Sequence, residues 1–362
     1  MIRALEFYSG IGGLHKALEI SDVPAEVVGA FDWDQTSCRV YGANYGPNIV
    51  NRVDISRLDA DTLSKFDAPL WLLSPSCQPY TVLNPAAKDL IKSGQGPRWI
   101  LVENVAGFET STTRHILLQA FKDNNYSVLE LLLTPLQFHI PNSRLRYYFL
   151  AKAKPLSFSG VDPLKTQVIW RHIPGHGNPW IDDREKTDVA VAQIRSYLDP
   201  DIESADHSYS IKDRVLLKWG RIFDIVLPNS RRTCCFTRGY TQLVEGSGSI
   251  LQMNETLDTT QTFNDFLAQQ ALLCDLDPHE ADTVASRAVE ILKPLRLRVT
   301  FLLTLPEADP GLLNCSTISS FTTTYFQQIF RCTDGRFMPC RLHDSQSKQE
   351  KFYHPNPLIL TS

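Results

Sequence analysis

The chain is predicted to be an α/β protein: a mostly parallel sheet with helices on both faces and an antiparallel edge strand, plus a second, smaller domain. Three observations predict this. Over residues 1–153, short apolar runs alternate with segments of helical period, the pattern of strands joined by crossover helices. The last two runs of that region, "SVLELLLTP" and "RYYFLAK", lie too close together for a comfortable crossover helix, so they are expected to pair antiparallel at one edge. From residue 154 to about 255 the texture changes to frequent Pro and Gly, scattered Trp and short apolar runs, which marks the smaller domain. Residues 256–298 return to a helical pattern and are expected to pack back on the first domain, leaving 299–362 as an atypical tail.

The first strand, "RALEFY", runs into "SGIGGL". Gly10, Gly12 and Gly13 let a turn bring backbone N–H groups close to a ligand at a helix N-terminus. Asp32 ends the second run, "AEVVGAFD", where an acidic side chain grips ribose hydroxyls. The pair points to a nucleoside cofactor. Asp32 would otherwise cap the following helix, a task Asp34 can also perform. The third run, "NIVNRVDI", ends in Asp54 and Ile55, where a polar group would meet an adenine ring.

The fourth run, "PLWLLSP", leads directly to Cys77. Pro75 and Pro79 hold φ at about −65° and push their predecessors out of the α region, so the thiol sits on a stiff, extended mount at a strand's carboxyl end. In open α/β sheets ligands bind there, so Cys77 reads as a nucleophile, against the alternative of a small buried residue in a tight turn. The fifth run, "RWILVENV", brings Glu103 and Asn104 to its end; a carboxylate there is costly to bury and so is expected to face a cleft, the structural alternative being a helix cap or a pair with Arg98. "TSTTRHILLQAFKDNN" has a Ser/Thr start, an Asn end and apolar Ile116, Leu117, Ala120 and Phe121, the pattern of a capped helix. Arg144 and Arg146 precede the last strand at alternate positions that point to one side, so one can orient a base or phosphate and the other can pair with Glu103. A surface salt bridge is the plainer alternative.

Composition sets outer limits. The 362 residues, 43% hydrophobic and 21% charged, are ordinary for a soluble globular protein and sufficient for one large domain with an insertion or for two domains. No window approaches the roughly 18 apolar residues of a membrane span, and the opening lacks signal-peptide anatomy, so an intracellular protein is expected. Eight cysteines without regular spacing predict free thiols; no CxxC pair or histidine spacing indicates a metal. A net charge of −4 gives no global pull toward nucleic acid, so such a partner needs a local basic patch. "RRTCCFTRGY" offers one: Arg231, Arg232 and Arg238 with Phe236 and Tyr240 interleaved suit phosphate contact plus base stacking, or else a charged solvent face. Cys234 and Cys235 read equally well as small buried strand residues.

"FYSGIGGL", "SPSCQPYT", "VENVAGFE" and "IPNSRLRYYFLAK", in that order, resemble the successive motifs of the cytosine-5 methyltransferases. "RRTCCFTRGYTQLVEGSGSILQ" further resembles the Cys-Phe-Thr signature of the DNA methyltransferase-like branch that methylates cytosine 38 in the anticodon loop of aspartate tRNA. The resemblance implies a Rossmann-like S-adenosylmethionine-dependent methyltransferase sheet with a target-recognition domain. By that likeness Ile11, Gly12, Gly13, Asp32, Asp54, Ile55 and Ser74 line the S-adenosyl-L-methionine pocket, Cys77 is the nucleophile, and Glu103, Arg144 and Arg146 hold the target base. Arg231, Arg232, Cys235, Phe236, Thr237 and Arg238 would contact the nucleic acid. A monomer acting on tRNA in cytoplasm and nucleus is expected, with DNA as the alternative substrate.

The chain departs from the family pattern in four places. Ser76 stands where the family has a second proline before the cysteine, and Asn142 where it often has Gln. The segment from Tyr80 to Trp99 is shorter than the family's reactive loop plus helix, and after "LKPLRLR" no Gly-Asn-Ser segment follows. A catalytically impaired nucleic-acid-binding relative is therefore a third reading, in which activity is much lower than that of a chain with the full loop and tail.

Overall fold

Each apolar run becomes a strand because helices cover both faces of one sheet. The computed structural model describes residues 1–21, 23–75, 90–91, 93–158, 160–161, 168–174, 191–198, 210–234, 248–271 and 286–299. The strands are β1 (Ile2–Phe7), β2 (Ala25–Asp32), β3 (Val50–Arg52), β4 (Leu70–Leu73), β5 (Trp99–Val105), β6 (Tyr126–Leu133), β7 (Arg146–Ala153) and β8 (Ile169–Trp170). They form one eight-stranded sheet in the order β3-β2-β1-β4-β5-β7-β6-β8. Successive side chains enter opposite faces, with the two-residue period of a strand. Phe7, Trp71, Leu73, Ile100, Val102 and Phe149 enter one core cluster, while Ala4, Leu70, Leu72, Leu101, Tyr148 and Leu150 enter a second on the opposite face. Helix α1 (Gly13–Ile20) covers the second face with Leu14, Ala17 and Leu18.

Helices α2 (Gln35–Tyr45) and α3 (Ala60–Ser64) follow β2 and β3, and α4 (Thr112–Asp123) follows β5. Asp34, not Asp32, caps α2 by accepting from Ser37 N at 2.8 Å. Helix α4 has the expected ends, with Ser111 accepting from Arg114 N and Asn124 closing the last turn. Its inward stripe is shifted from the expected one. Arg114, Leu117, Leu118 and Phe121 are buried at i, i+3, i+4 and i+7, and Ile116 is 58% exposed. A buried ion pair takes the place of an apolar residue: Arg114 donates twice to Glu130 on β6, both at 2.6 Å, and Tyr147 OH donates to the same carboxylate at 2.6 Å.

The reversed strand is not at the edge. β7 pairs antiparallel with β5 on one side and β6 on the other, so its position is interior, which accounts for the burial of Tyr147 to Lys152. β8 lies parallel to β6 beyond it. Trp170 packs against the core cluster that contains Phe158 and Ile173, so the first body continues past residue 153, where a boundary was expected.

The second sheet joins β9 (Asp224–Val226), β10 (Ser249–Gln252) and β11 (Leu297–Val299) in the order β11-β10-β9. Against it pack α5 (Asp213–Trp219), α6 (Thr259–Ala271) and helical residues 286–292. Phe263, Phe266, Val289 and Leu292 share a cluster with Leu216, Ile250 and Leu297. The expectation that 256–298 return to the first domain is thus corrected: their apolar stripe is used by the smaller sheet, which needs a cover of its own. Cys77, Cys235, Phe236, Thr237 and Arg238, with nearly all of the tail, lie outside the described residues. Among those described, no helix is long and apolar enough to cross a membrane.

Candidate active site

Strand order reverses between β1 and β4, and the crevice at the carboxyl ends of those strands is where open α/β sheets bind ligands. The turn after β1 is built for close approach. Tyr8, Gly10 and Gly12 have φ of 55°, 53° and 91°. A Cβ on Gly12 would run into the Tyr45 ring, whose hydroxyl donates to Gly12 O at 3.0 Å, so glycine is required there for space as well as conformation. Asp32 crosses to the turn from β2, accepting from Gly10 N at 2.8 Å and from Asp34 N at 2.9 Å. A carboxylate has about four acceptor positions, so two remain for a ligand. Ile11 and Gly13 lie in the same turn and at the helix start. Ser74 ties the Cys77 stem to this turn, its N donating to Phe7 O at 3.2 Å and its Oγ to Tyr8 O at 3.0 Å.

Asp54 and Ile55 separate in role. Asp54 is exposed and accepts from Ser56 N and Oγ, which holds its carboxyl below the usual range, whereas the Ile55 side chain belongs to the core. Behind the turn lies a buried polar group. Glu6 accepts from His15 N at 3.3 Å, its other oxygen is 2.8 Å from Tyr41 OH, and that hydroxyl is 2.7 Å from His15 Nδ1. Burial pushes Glu6 up to about 8 and His15 down to about 4, so both are neutral at pH 7. Glu6 thereby satisfies the N-terminus of α1, which has no side-chain cap at Gly12.

At the reactive end, Glu103 and Arg146 meet. Arg146 opposes Val105 in the β5–β7 ladder, which makes it a diagonal neighbour of Glu103, and its Nε is 3.2 Å from Glu103 Oε1. Burial pushes the Glu103 carboxyl up, with the Arg146 and Arg144 charges opposing it. Arg146 is thus the arginine paired with Glu103, while Arg144 acts on the carboxyl through its charge. Arg98 does not take that place; it stacks over Trp99, 4.8 Å from the ring centroid. Asn104, 2% exposed, donates to Pro75 O at 3.3 Å and so fixes the stem from which the Cys77 loop departs.

A family model for the C-5 cytosine-specific DNA methylases matches residues 2–264. The chain belongs to this family. The C-5 cytosine methylases use S-adenosyl-L-methionine as methyl donor. This methylase is 38% identical over 276 residues to a Schizosaccharomyces pombe protein named tRNA (cytosine(38)-C(5))-methyltransferase, covering 72% of this chain and 78% of that one. It is 32% identical over 299 residues to a Dictyostelium discoideum DNA (cytosine-5)-methyltransferase, covering 70% and 76%. The crystal structure of the S. pombe Dnmt2 methyltransferase superposes with a TM-score of 0.64 at 30% identity, over 91% of this chain and 99% of that one.

The methylase turn fits S-adenosylmethionine. Gly10 has open space where a Cβ would stand, Asp32 keeps acceptor capacity, and Ser9 Oγ is a buried hydroxyl with no hydrogen-bond partner among the described residues. Tyr8 was not singled out from the sequence. Burial, helped by the Asp54 and Asp32 charges, pushes its hydroxyl up to about 12. The only sequence signal was its position before the glycines.

In the second body, Arg231 is half-buried and donates to Val191 O, while the exposed Arg232 pairs with Asp224 at 2.9 Å. Arg232 is thus the more exposed of the two. Thr233 and Cys234 run beside the segment preceding Arg144, with Ser143 bridging Cys234 in parallel. That junction was not legible in either segment alone.

Proposed function

We propose that this chain methylates C5 of cytosine 38 in the anticodon loop of tRNA. The observation that carries the reading is the Glu103–Arg146 pair, held beside Asn104, which anchors the Cys77 stem. An acid and two arginines converge next to the mount of a nucleophile. Cytosine C5 is a poor nucleophile, so electrons must be pushed into the ring. Cys77 adds to C6 as the thiolate, and Glu103, whose carboxyl burial pushes up, donates a proton to N3 as the adduct forms, which turns C5 into an enamine carbon. S-adenosylmethionine, when bound, supplies an electrophilic methyl group for that carbon. Loss of the C5 proton to a solvent base then expels Cys77 as the thiolate, and N3 returns its proton to Glu103. A free thiol of pKa about 8.5 is only a few per cent thiolate at pH 7, so the mechanism needs a positive charge beside it, a task that suits Arg146.

RNA is favoured over duplex on two grounds. A stacked base is out of reach, and an anticodon loop presents unstacked bases at less cost than a duplex. The S. pombe relative carries the tRNA (cytosine(38)-C(5))-methyltransferase name, and the Dictyostelium relative's name supplies the DNA alternative. Transfer of labelled methyl from S-adenosylmethionine to total tRNA and to duplex DNA tests the choice. Label in tRNA supports the proposal; label in DNA alone sinks it.

A further inference from the structure

We propose that Asn142 and Thr233 form a clasp that sets the position of the base-holding arginine arm relative to the RNA-facing segment, so that both act as positioning residues for the target base. The inference rests on the nucleic-acid methylation reading above.

The two segments are 91 residues apart in sequence and are stitched by side chains as well as backbone. Asn142 Nδ2 donates to Thr233 Oγ1 at 2.9 Å and to Cys234 O at 3.3 Å. Thr233 Oγ1 donates to Pro141 O at 2.8 Å, and Ser143 N donates to Thr233 O at 2.8 Å. Asn142 is 5% exposed and Thr233 3%. One residue beyond this clasp comes Arg144, whose N is 3.4 Å from Thr134 Oγ1, and two further on β7 begins with Arg146. On the other side, Cys234 N donates to Ser249 Oγ at 2.7 Å, Ser249 Oγ donates to Asp224, and Asp224 pairs with the exposed Arg232. Hydrogen bonds therefore run from the surface Arg232 to residues 141–143, and the chain itself continues from there into the arm whose Arg146 pairs with Glu103.

Stability alone does not explain the choice of Asn142. Its Oδ1 is buried without a hydrogen-bond partner among the described residues, which works against the fold. The side chain is retained for its two donors, both directed at the recognition segment. Buried groups left unsatisfied in this way cluster where geometry is held for function. Phosphate contacts made from the surface would survive loss of the clasp, because they depend on charge. The placement of the target base between Arg144, Arg146 and Cys77 would not, because a misplacement of about 1 Å costs on the order of a hundredfold in rate.

Thr233→Val keeps the volume and removes the hydroxyl; Thr233→Ser keeps the hydroxyl. For parent and both variants, three quantities are measured: kcat at saturating S-adenosylmethionine, Kd for the nucleic acid by filter binding, and the cofactor-binding fraction by S-adenosylhomocysteine titration. The expected result for Thr233→Val is a kcat lower by roughly 30- to 100-fold, with Kd within about twofold and the binding fraction unchanged. Thr233→Ser is expected within about threefold of the parent. The clasp is overturned if kcat falls only in step with the binding fraction, if weakened Kd accounts for the loss, or if Thr233→Ser fails to restore it. Assaying the parent on tRNA and on duplex DNA separates the two ideas. Label in DNA alone removes the tRNA reading, and the same split between kcat and Kd measured on DNA still decides the clasp. A parent that labels neither overturns both.

Discussion

Replacing Glu6 by Gln should flatten the dependence of folded stability on pH. In the folded chain Glu6 keeps its proton up to about pH 8, against an ordinary value of 4.5. The folded state therefore holds one more proton across that range, so this group's contribution is full below about 4.5 and is lost as pH rises through about 8. Over the whole range the loss comes to about 5 kcal/mol, at about 1.4 kcal/mol for each pH unit. His15, lowered to about 4, works in the opposite direction below its ordinary 6.5, so the clean window for Glu6 alone is pH 6.5 to 8. There the parent should lose about 1–2 kcal/mol relative to Glu6→Gln. Gln keeps the geometry, with Oε1 accepting from His15 N and Nε2 donating to Tyr41 OH. Urea unfolding followed by fluorescence reports directly, because Trp71 and Trp99 are buried in the sheet. Parallel stability curves for parent and variant between pH 6.5 and 8 would refute a neutral Glu6 behind the cofactor turn.

Gly12→Ala puts a Cβ into the Tyr45 ring at φ 91°, and left-handed strain alone is about 1–2 kcal/mol, so S-adenosylhomocysteine should bind about tenfold more weakly by calorimetry; unchanged affinity rejects the tight turn. Glu103→Gln should cut turnover by about a hundredfold or more while leaving cofactor affinity within about threefold, and a variant retaining over about a tenth of parental turnover removes Glu103 from the chemistry. Arg114→Met strands the Glu130 charge in the core and should cost about 3–5 kcal/mol in urea unfolding, with Arg114→Met/Glu130→Leu recovering most of it; a loss below about 1 kcal/mol contradicts the buried pair.

The first sheet was readable because buried strands announce themselves as continuous apolar runs: Leu70–Leu73 is buried at every position, and β5 stays buried as far as Val102. The position of β7 was not, since an antiparallel pair looks the same in sequence whether its second strand is interior or at an edge. Nor was the two-residue β8, too short to carry a period. On α4, periodicity placed Ile116 inward, and the structure uses Arg114 instead because Glu130 and Tyr147 wait for it. Within the site, Asp32, Glu103, Arg144 and Arg146 were visible as charged residues at the ends of apolar runs, where burial is costly without a purpose. Asn104 and Asn142 were quieter, because a polar residue that anchors a distant backbone has no local pattern. Their partners, Pro75 and Thr233, are brought to them only by the sheet order and by the contact between the two bodies.

The most direct measurement is bisulfite sequencing of tRNA after incubation of the purified chain with S-adenosylmethionine, alongside Cys77→Ala. The account predicts protection of cytosine 38 in the anticodon loop of aspartate tRNA by the parent. Cys77→Ala should give under about a hundredth of the parental rate, given what loss of a nucleophile costs elsewhere. Protection confined to DNA, protection at other tRNA cytosines, or comparable methylation by Cys77→Ala would contradict it.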